Sequence, residues 1–510
     1  MPARSARTTL IQRLLSVGAA LSLVAALGST AGAARATDPL SITVLDINPT
    51  GGSYALDDMD YGSVAFKGSL YFGADDGSNG AELWKSDGTV AGTAIVKDVN
   101  EGAGGSHPTY MVVMGDTLFF TAYTDAESWE LWKSDGTTDG TVMVKDINPT
   151  SASDPQYLTV IGDTLFFQAD NGTDGLELWK SDGTEAGTVM VKDINPTGNS
   201  YLRWLTALGD TLYFQADNGT DGAELWKSDG TTGGTTMVKD INPSGGGEPR
   251  YLTAIGATIA FAANNGTDGI ELWRSDGTAG GTTMVKDIHP SGDGDPFYFA
   301  VLGDQLYFTA EDDTHGYELW SSDGTAGGTS MVKDIDATPG ESSLPRYPIA
   351  LGDAIYFPAY DGGVFGNELW KSDGTEAGTT MVKDINPDAE SSYVSHITKH
   401  GSKIYFKGTD GTGTGIYVSD GTGAGTTRLS AGEVTDYVSC DCYKYPIRST
   451  AIGVFFAYHD ATVGNELGFI ADALPATNTS GNALTLALLA LSGALAAGAV
   501  LVRRAERRAA

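Results

Sequence analysis

The residues with the types and spacing for chemistry lie in a set of oxygen-rich loops. Asp170, Asn171 and Asp174 stand in one, and Asp217, Asn218 and Asp221 in the next. Asn264, Asn265 and Asp268 follow, then Asp312 and Asp313. Hard carboxylate and amide oxygens suit Ca2+. On ligand type, Asp170, Asp174, Asp217, Asp221, Asp268, Asp312 and Asp313 are the candidate metal or ligand residues. None of these loops has the EF-hand pattern. An Asx turn, in which the side chain bonds its own backbone two residues on, uses the same residues. Both readings stand, and no cofactor other than Ca2+ is suggested.

Catalysis needs a few unlike groups brought together once. The non-repeated candidates are His107, His289, His315, His396, His400 and His459. His315 beside Glu311, Asp312 and Asp313 is the most suggestive cluster, and an exposed loop histidine among solvating acids is the preferred reading of it, since a site needs further positioned groups. No nucleophile elbow, zinc-protease helix motif or phosphate loop occurs. No catalytic residue is therefore assigned. The cysteines, Cys440 and Cys442, are two. That is too few for a structural zinc site, and a bridge between such close neighbours would be strained.

The loops hang on a repeat. Glu177-Leu178-Trp179-Lys180-Ser181-Asp182-Gly183-Thr184 has near-copies at Glu82, Glu130, Glu224, Glu271, Glu318 and Glu368, and a degraded copy ends at Thr422. The Asp of Asp-Gly-Thr recurs at 87, 135, 182, 229, 276, 323, 373 and 420, in steps of 47 to 50 residues. Such a period marks a repeat architecture. In the third unit, β-branched and aromatic runs at 157–161, 164–169, 176–180 and 189–194 are bounded by Gly, Asn, Asp and Pro. They predict four short antiparallel strands, the content of a propeller blade. Leu165, Phe166 and Phe167 are adjacent and apolar, so both faces of that strand are to be buried, as between two blades. Trp179 and its copies Trp84, Trp132, Trp226, Trp273, Trp320 and Trp370 are read as packing between blades rather than as a sugar-stacking ring. Asp182 is to accept from the turn amides, and Gly183 to supply positive φ.

Second strands begin near Leu70, Leu118, Leu165, Leu212, Ile259, Leu306, Ile355 and Ile404, with a ninth at Val454 that lacks a fourth strand. Residues 42–49 match 190–196, so the expected fold is all-β: a propeller of about nine four-stranded blades over 37–473. Residues 42–47 complete the last blade and hide the sheet edges. Eight blades, or an open solenoid, are the alternatives.

The chain of 510 residues carries a net charge of −34. Setting aside Arg4, Arg7, Arg13, Arg35, Arg503, Arg504, Arg507, Arg508 and Glu506 leaves 23 basic and 64 acidic residues, a net of −41. Such a body repels phosphate backbones, so nucleic acid is not an expected partner.

Residues 1–36 have a basic region, an apolar stretch from Leu14 to Leu27 and small residues before Thr37. They predict a signal peptide cut after Ala36. Residues 483–502 are 20 residues without a charge, followed by a basic tail at 503–510. They predict a membrane-spanning helix whose tail stays cytoplasmic. With Leu474-Pro475-Ala476-Thr477-Asn478 ahead of it, the end resembles a Gram-positive sortase sorting signal, with the linker closing at 482. That resemblance implies cleavage after Thr477 and joining to the cell wall, although Asn478 replaces the usual Gly. A permanent membrane anchor is the alternative. Either way the repeats face outward.

Over about 54–470 the Glu-Leu-Trp-x-Ser-Asp-Gly-Thr units are similar to those of bacterial ELWxxDGT-repeat surface proteins. The resemblance implies extracellular repeats and no assigned activity. The expectation is a non-catalytic, monomeric surface propeller for ligand binding or adhesion, with a glycan or protein as partner. A polysaccharide hydrolase or lyase, or a wall spacer, is the alternative. The loops joining one blade to the next, at 101–108, 243–249 and 289–296, vary most and share a face with the oxygen-rich loops.

Overall fold

A computed structural model describes residues 42–56, 62–387, 390–429, 447–460 and 464–471. These form nine antiparallel four-stranded sheets, each built from consecutive strands except the last. In the third sheet Gln156–Ile161, Thr164–Asp170, Leu176–Ser181 and Val189–Lys192 pair in order. Inner strands touch the inner strands of both neighbours, and Arg448–Thr450 touches Ser63–Phe66, which closes a nine-bladed propeller. The eight-bladed and open alternatives fall away.

Closure uses the chain's own beginning. Ile42–Leu45 is the outer strand of the ninth blade, with Ile42 opposite Ile470 and Leu45 opposite Leu467. Glu466 Oε2 accepts the Ile47 amide at 2.8 Å, and Oε1 accepts the Ser53 amide at 3.1 Å. At the inner edge Arg448 Nε donates to Ser63 Oγ at 2.7 Å.

The core lies between sheets rather than within one. Phe119, Leu131 and Val144 of the second blade pack on Leu165, Phe167 and Trp179 of the third. Leu165, Phe166 and Phe167 are all buried, as a strand with two dry faces requires. Trp179 is 5% exposed, and its six copies are buried too. Lysines staple neighbouring blades. Lys145 Nζ donates to the Thr188 carbonyl of the next blade at 2.9 Å and lies 5.8 Å from the centre of the Trp179 ring. Lys192, Lys239, Lys286 and Lys333 repeat both contacts one blade further on. Lys133 reaches the Gly183 carbonyl at 2.7 Å, and Lys85, Lys180, Lys227 and Lys371 make the same reach.

The Ser-Asp-Gly-Thr turn is scaffold. Asp182 Oδ1 accepts the Thr184 amide at 2.8 Å, Ser181 Oγ accepts the Gly183 amide at 2.9 Å, and Gly183 has φ +87°.

The signal segment 1–36, Cys440, Cys442, the motif with Thr477, the span 483–502 and the tail 503–510 all lie outside the described residues. Among the described residues no helix is long and apolar enough to cross a membrane.

Candidate functional site

The oxygen-rich loops do share a face with the blade-to-blade connections. The Leu176 amide, at the end of one such loop, donates to Asn199 Oδ1 in the following connection at 2.9 Å. Their oxygens are engaged locally. Asp170 Oδ1 accepts the Gly172 amide at 2.7 Å, and Asp174 Oδ2 accepts from Asn171 Nδ2 at 2.7 Å. Asp217, Asp221 and Asp268 repeat these bonds. Asp312 holds the Thr314 and His315 amides and the His315 ring, at 2.8–2.9 Å. Asp313 meets Ser291 Oγ, with His289 at 3.4 Å. Among the described residues no three of His, Cys, Asp and Glu gather as metal ligands. The loops are Asx turns. His315 does meet Asp312, which raises its pKa chiefly through their hydrogen bond.

In the blades that carry it, the motif glutamate pins the following connection from below, a role the sequence reading did not assign. Glu177 is fully buried; its Oε2 accepts the Ile194 amide at 2.7 Å and its Oε1 the Asn195 amide at 3.3 Å. In the second blade Ser153 Oγ adds a bond to Glu130 Oε2 at 2.6 Å. No cation pairs with these carboxylates among the described residues. Burial pushes Glu177 up to about 7; the amides pull it back only part of the way, and Asp193 adds to the rise. Glu130, Glu224, Glu271, Glu318 and Glu368 are raised to the same value by the same cause.

The pinned connections deliver an aromatic side chain to the start of seven inner strands. Tyr110, Tyr157, Trp204, Tyr251, Tyr298, Tyr347 and, in the eighth blade, His396 occupy one repeat position, all in the left-handed region at φ +46° to +59°. Three residues earlier His107, Asp154, Tyr201, Glu248, Asp295, Leu344 and Tyr393 do the same, at φ +37° to +49°. For bulky residues this is an uncommon, strained conformation. A bulge accommodates it: Gln156 pairs with Gln168, but the next pair is Thr159 with Phe166. Neighbouring rings of the girdle approach one another in three pairs. Tyr110 and Tyr157 have centroids 6.1 Å apart, Trp204 and Tyr251 4.6 Å, and Tyr298 and Tyr347 4.1 Å. Trp204 and Tyr347 keep 38% and 40% of their surface exposed.

Between the second, third and fourth blades the girdle opens into a cavity of about 450 Å3, lined among others by Tyr110, Tyr157, Arg203, Trp204 and Thr206. On the other side Arg250 pairs with Glu248, and Tyr317 Oη donates to Asp295 Oδ2 at 3.5 Å. Burial raises the Asp295 carboxyl, with Arg250 opposing. Arg203, Arg250 and Arg346 each directly precede a girdle aromatic. The girdle was missed in sequence because its aromatics read as ordinary strand residues. The signal was an aromatic seven residues ahead of the second strand in the second to eighth blades, as Tyr157 is of Thr164.

No family model matches the chain, and no curated protein matches it. Among solved structures it is similar to a puromycin hydrolase, at TM-score 0.35 and 14% identity over 69% of this chain and 58% of that one. It is similar to a Mycobacterium tuberculosis puromycin-hydrolyzing peptidase at TM-score 0.37 and 10% identity, with the same coverage. Leishmania major oligopeptidase B gives 0.36 and 10%, over 64% of this chain and 50% of that one. The chain thus spans less than two thirds of the length of these proteins, and likenesses of this strength carry no argument about activity. What the fold itself defines is a nine-bladed β-propeller.

Proposed function

We propose that the chain is a non-catalytic propeller, displayed outside the cell, that binds an extracellular glycan at the aromatic girdle. The observation that carries this is the girdle: one position held in a strained backbone in seven consecutive blades, Tyr or Trp in six of them, with rings left partly exposed beside a cavity. Flat amphipathic rings offer rigid contact area at low conformational cost, and the C–H faces of pyranose rings fit them. Export by residues 1–36, and anchoring by the sortase-like motif or the apolar span at 483–502, belong to the same proposal. So does membership among the ELWxxDGT-repeat surface proteins.

The full chain applied to a glycan array tests it. Retention of a defined set of glycans, lost in Trp204→Ala, supports the reading; an empty array ends it. New reducing ends appearing on the bound glycan would instead favour a hydrolase or lyase.

A further inference from the structure

We infer that the cavity between the second and fourth blades is the subsite for an acidic sugar, a pyranose carrying a carboxylate. The inference rests on the glycan reading and narrows it.

Most of the cationic side chains are already committed. Lys85, Lys97, Lys133, Lys145, Lys180, Lys192, Lys227, Lys239, Lys286, Lys333, Lys371 and Lys383 are spent on carbonyls of neighbouring blades. Arg428 pairs with Asp410, and Arg250 with Glu248. Arg203 differs. It lines the cavity, and among the described residues its guanidinium has no ion pair or hydrogen bond. The reason is local. Two residues before Arg250 stands Glu248, whereas two residues before Arg203 stands Tyr201. The acidic partner that quenches one arginine is missing beside the other.

A guanidinium is a planar fork that matches a carboxylate with two parallel hydrogen bonds. In the same lining, Tyr157 and Trp204 supply rings for a sugar face, and the volume of about 450 Å3 falls within the ~300–1,000 Å3 typical of small-ligand sites. The acidity of the rest of the body does not forbid an anionic ligand. Exposed charges beyond the screening length of ~8 Å at physiological salt act weakly, and the charged side chain lining the cavity, Arg203, is positive.

Titration calorimetry on the full chain decides it, with tetragalacturonate, neutral maltotetraose and sodium acetate as probes. The expected result is tetragalacturonate bound at least tenfold more tightly than maltotetraose, and acetate too weak to compete. Arg203→Ala should erase the tenfold preference, while Arg203→Lys keeps part of it. Because Arg203 is exposed and unpaired, both variants should melt with the parent. Trp204→Ala should weaken both sugars. Equal affinity for the two sugars, or a preference that survives Arg203→Ala, overturns the acidic subsite and leaves glycan binding standing. Competition by acetate as strong as by tetragalacturonate reduces the site to a bare carboxylate pocket and also overturns it. Binding of neither sugar, with other glycans retained on an array, overturns the subsite alone; an empty array as well removes both readings.

Discussion

Lys145 and Trp179 sit on different blades, yet the ammonium of one lies 5.8 Å from the ring centre of the other. The same lysine donates to the Thr188 carbonyl at 2.9 Å, so one side chain ties two sheets by a charge, a ring and a backbone bond. Truncating Trp179 to Ala should cost about 3–5 kcal/mol, the range for a large buried aromatic. Lys145→Met should cost about 1 kcal/mol, for the cation–π contact and one hydrogen bond. Thermal melts that rank the two variants the other way would contradict the packing.

The buried glutamates set a pH dependence. Glu177 and five copies titrate near 7 when folded, against 4.5 for the free side chain. Between those values the folded protein holds more protons than the unfolded chain. Their stabilisation is therefore whole below 4.5 and is lost as pH rises through 7. At the acid end the sign reverses. Asp182 and its copies are lowered from 3.8 by the Thr184 hydroxyl and amide and their counterparts, so what they add is lost as pH falls through that range. Asp410 follows them: burial works against it, and Thr412, Tyr417 and Arg428 still bring it to about 2. The melting temperature should peak near pH 5 and fall by pH 8. Glu177→Gln should shallow the alkaline limb.

Closure through Leu45 should be brittle. Leu45 is buried at 1% exposure against Leu467 and Phe469. Leu45→Asp would bury an unpaired charge and release Ile42–Leu45, leaving a bare sheet edge. The expected outcome is a fall in melting temperature together with higher oligomers on size-exclusion chromatography. A variant that stays monomeric and melts with the parent would break the account of the ninth blade.

Calcium should matter little. The oxygens of Asp170, Asp174, Asp217, Asp221 and Asp268 already serve turn amides and neighbouring amide groups. The melting temperature should not move on adding EDTA, and a rise with millimolar Ca2+ would reinstate the loops as metal sites, because a ligand bound only by the folded state stabilises it.

How much of this the sequence carried depends on what each residue's job looks like locally. Leu165 to Phe167 announce a strand dry on both faces, and Trp179 recurs too regularly to be chance, so blades and their core were legible. Residues 42–47 copy a fourth strand, so the closing partner was legible too, although pairing stops at Leu45. Glu177 was opaque because its partners are backbone amides seventeen and eighteen residues on, which no side chain marks. Tyr157 was opaque because its role comes from a bulge and a positive φ, and nothing in a tyrosine signals either. The loop acids were legible as turns and as ligands alike, and only their bond partners separate the two.

The pairing of Ile42–Leu45 with the last strand also orders events in time. Ile47 leaves the ribosome 419 residues before the Glu466 that receives its amide. Blades one to eight can each assemble as they emerge, while the opening strand waits, unpartnered, for the final hairpin. A chain stopped before the strand Gly464–Ala471 is made would keep a gap in its circle, so synthesis through that strand is itself the checkpoint for a closed ring.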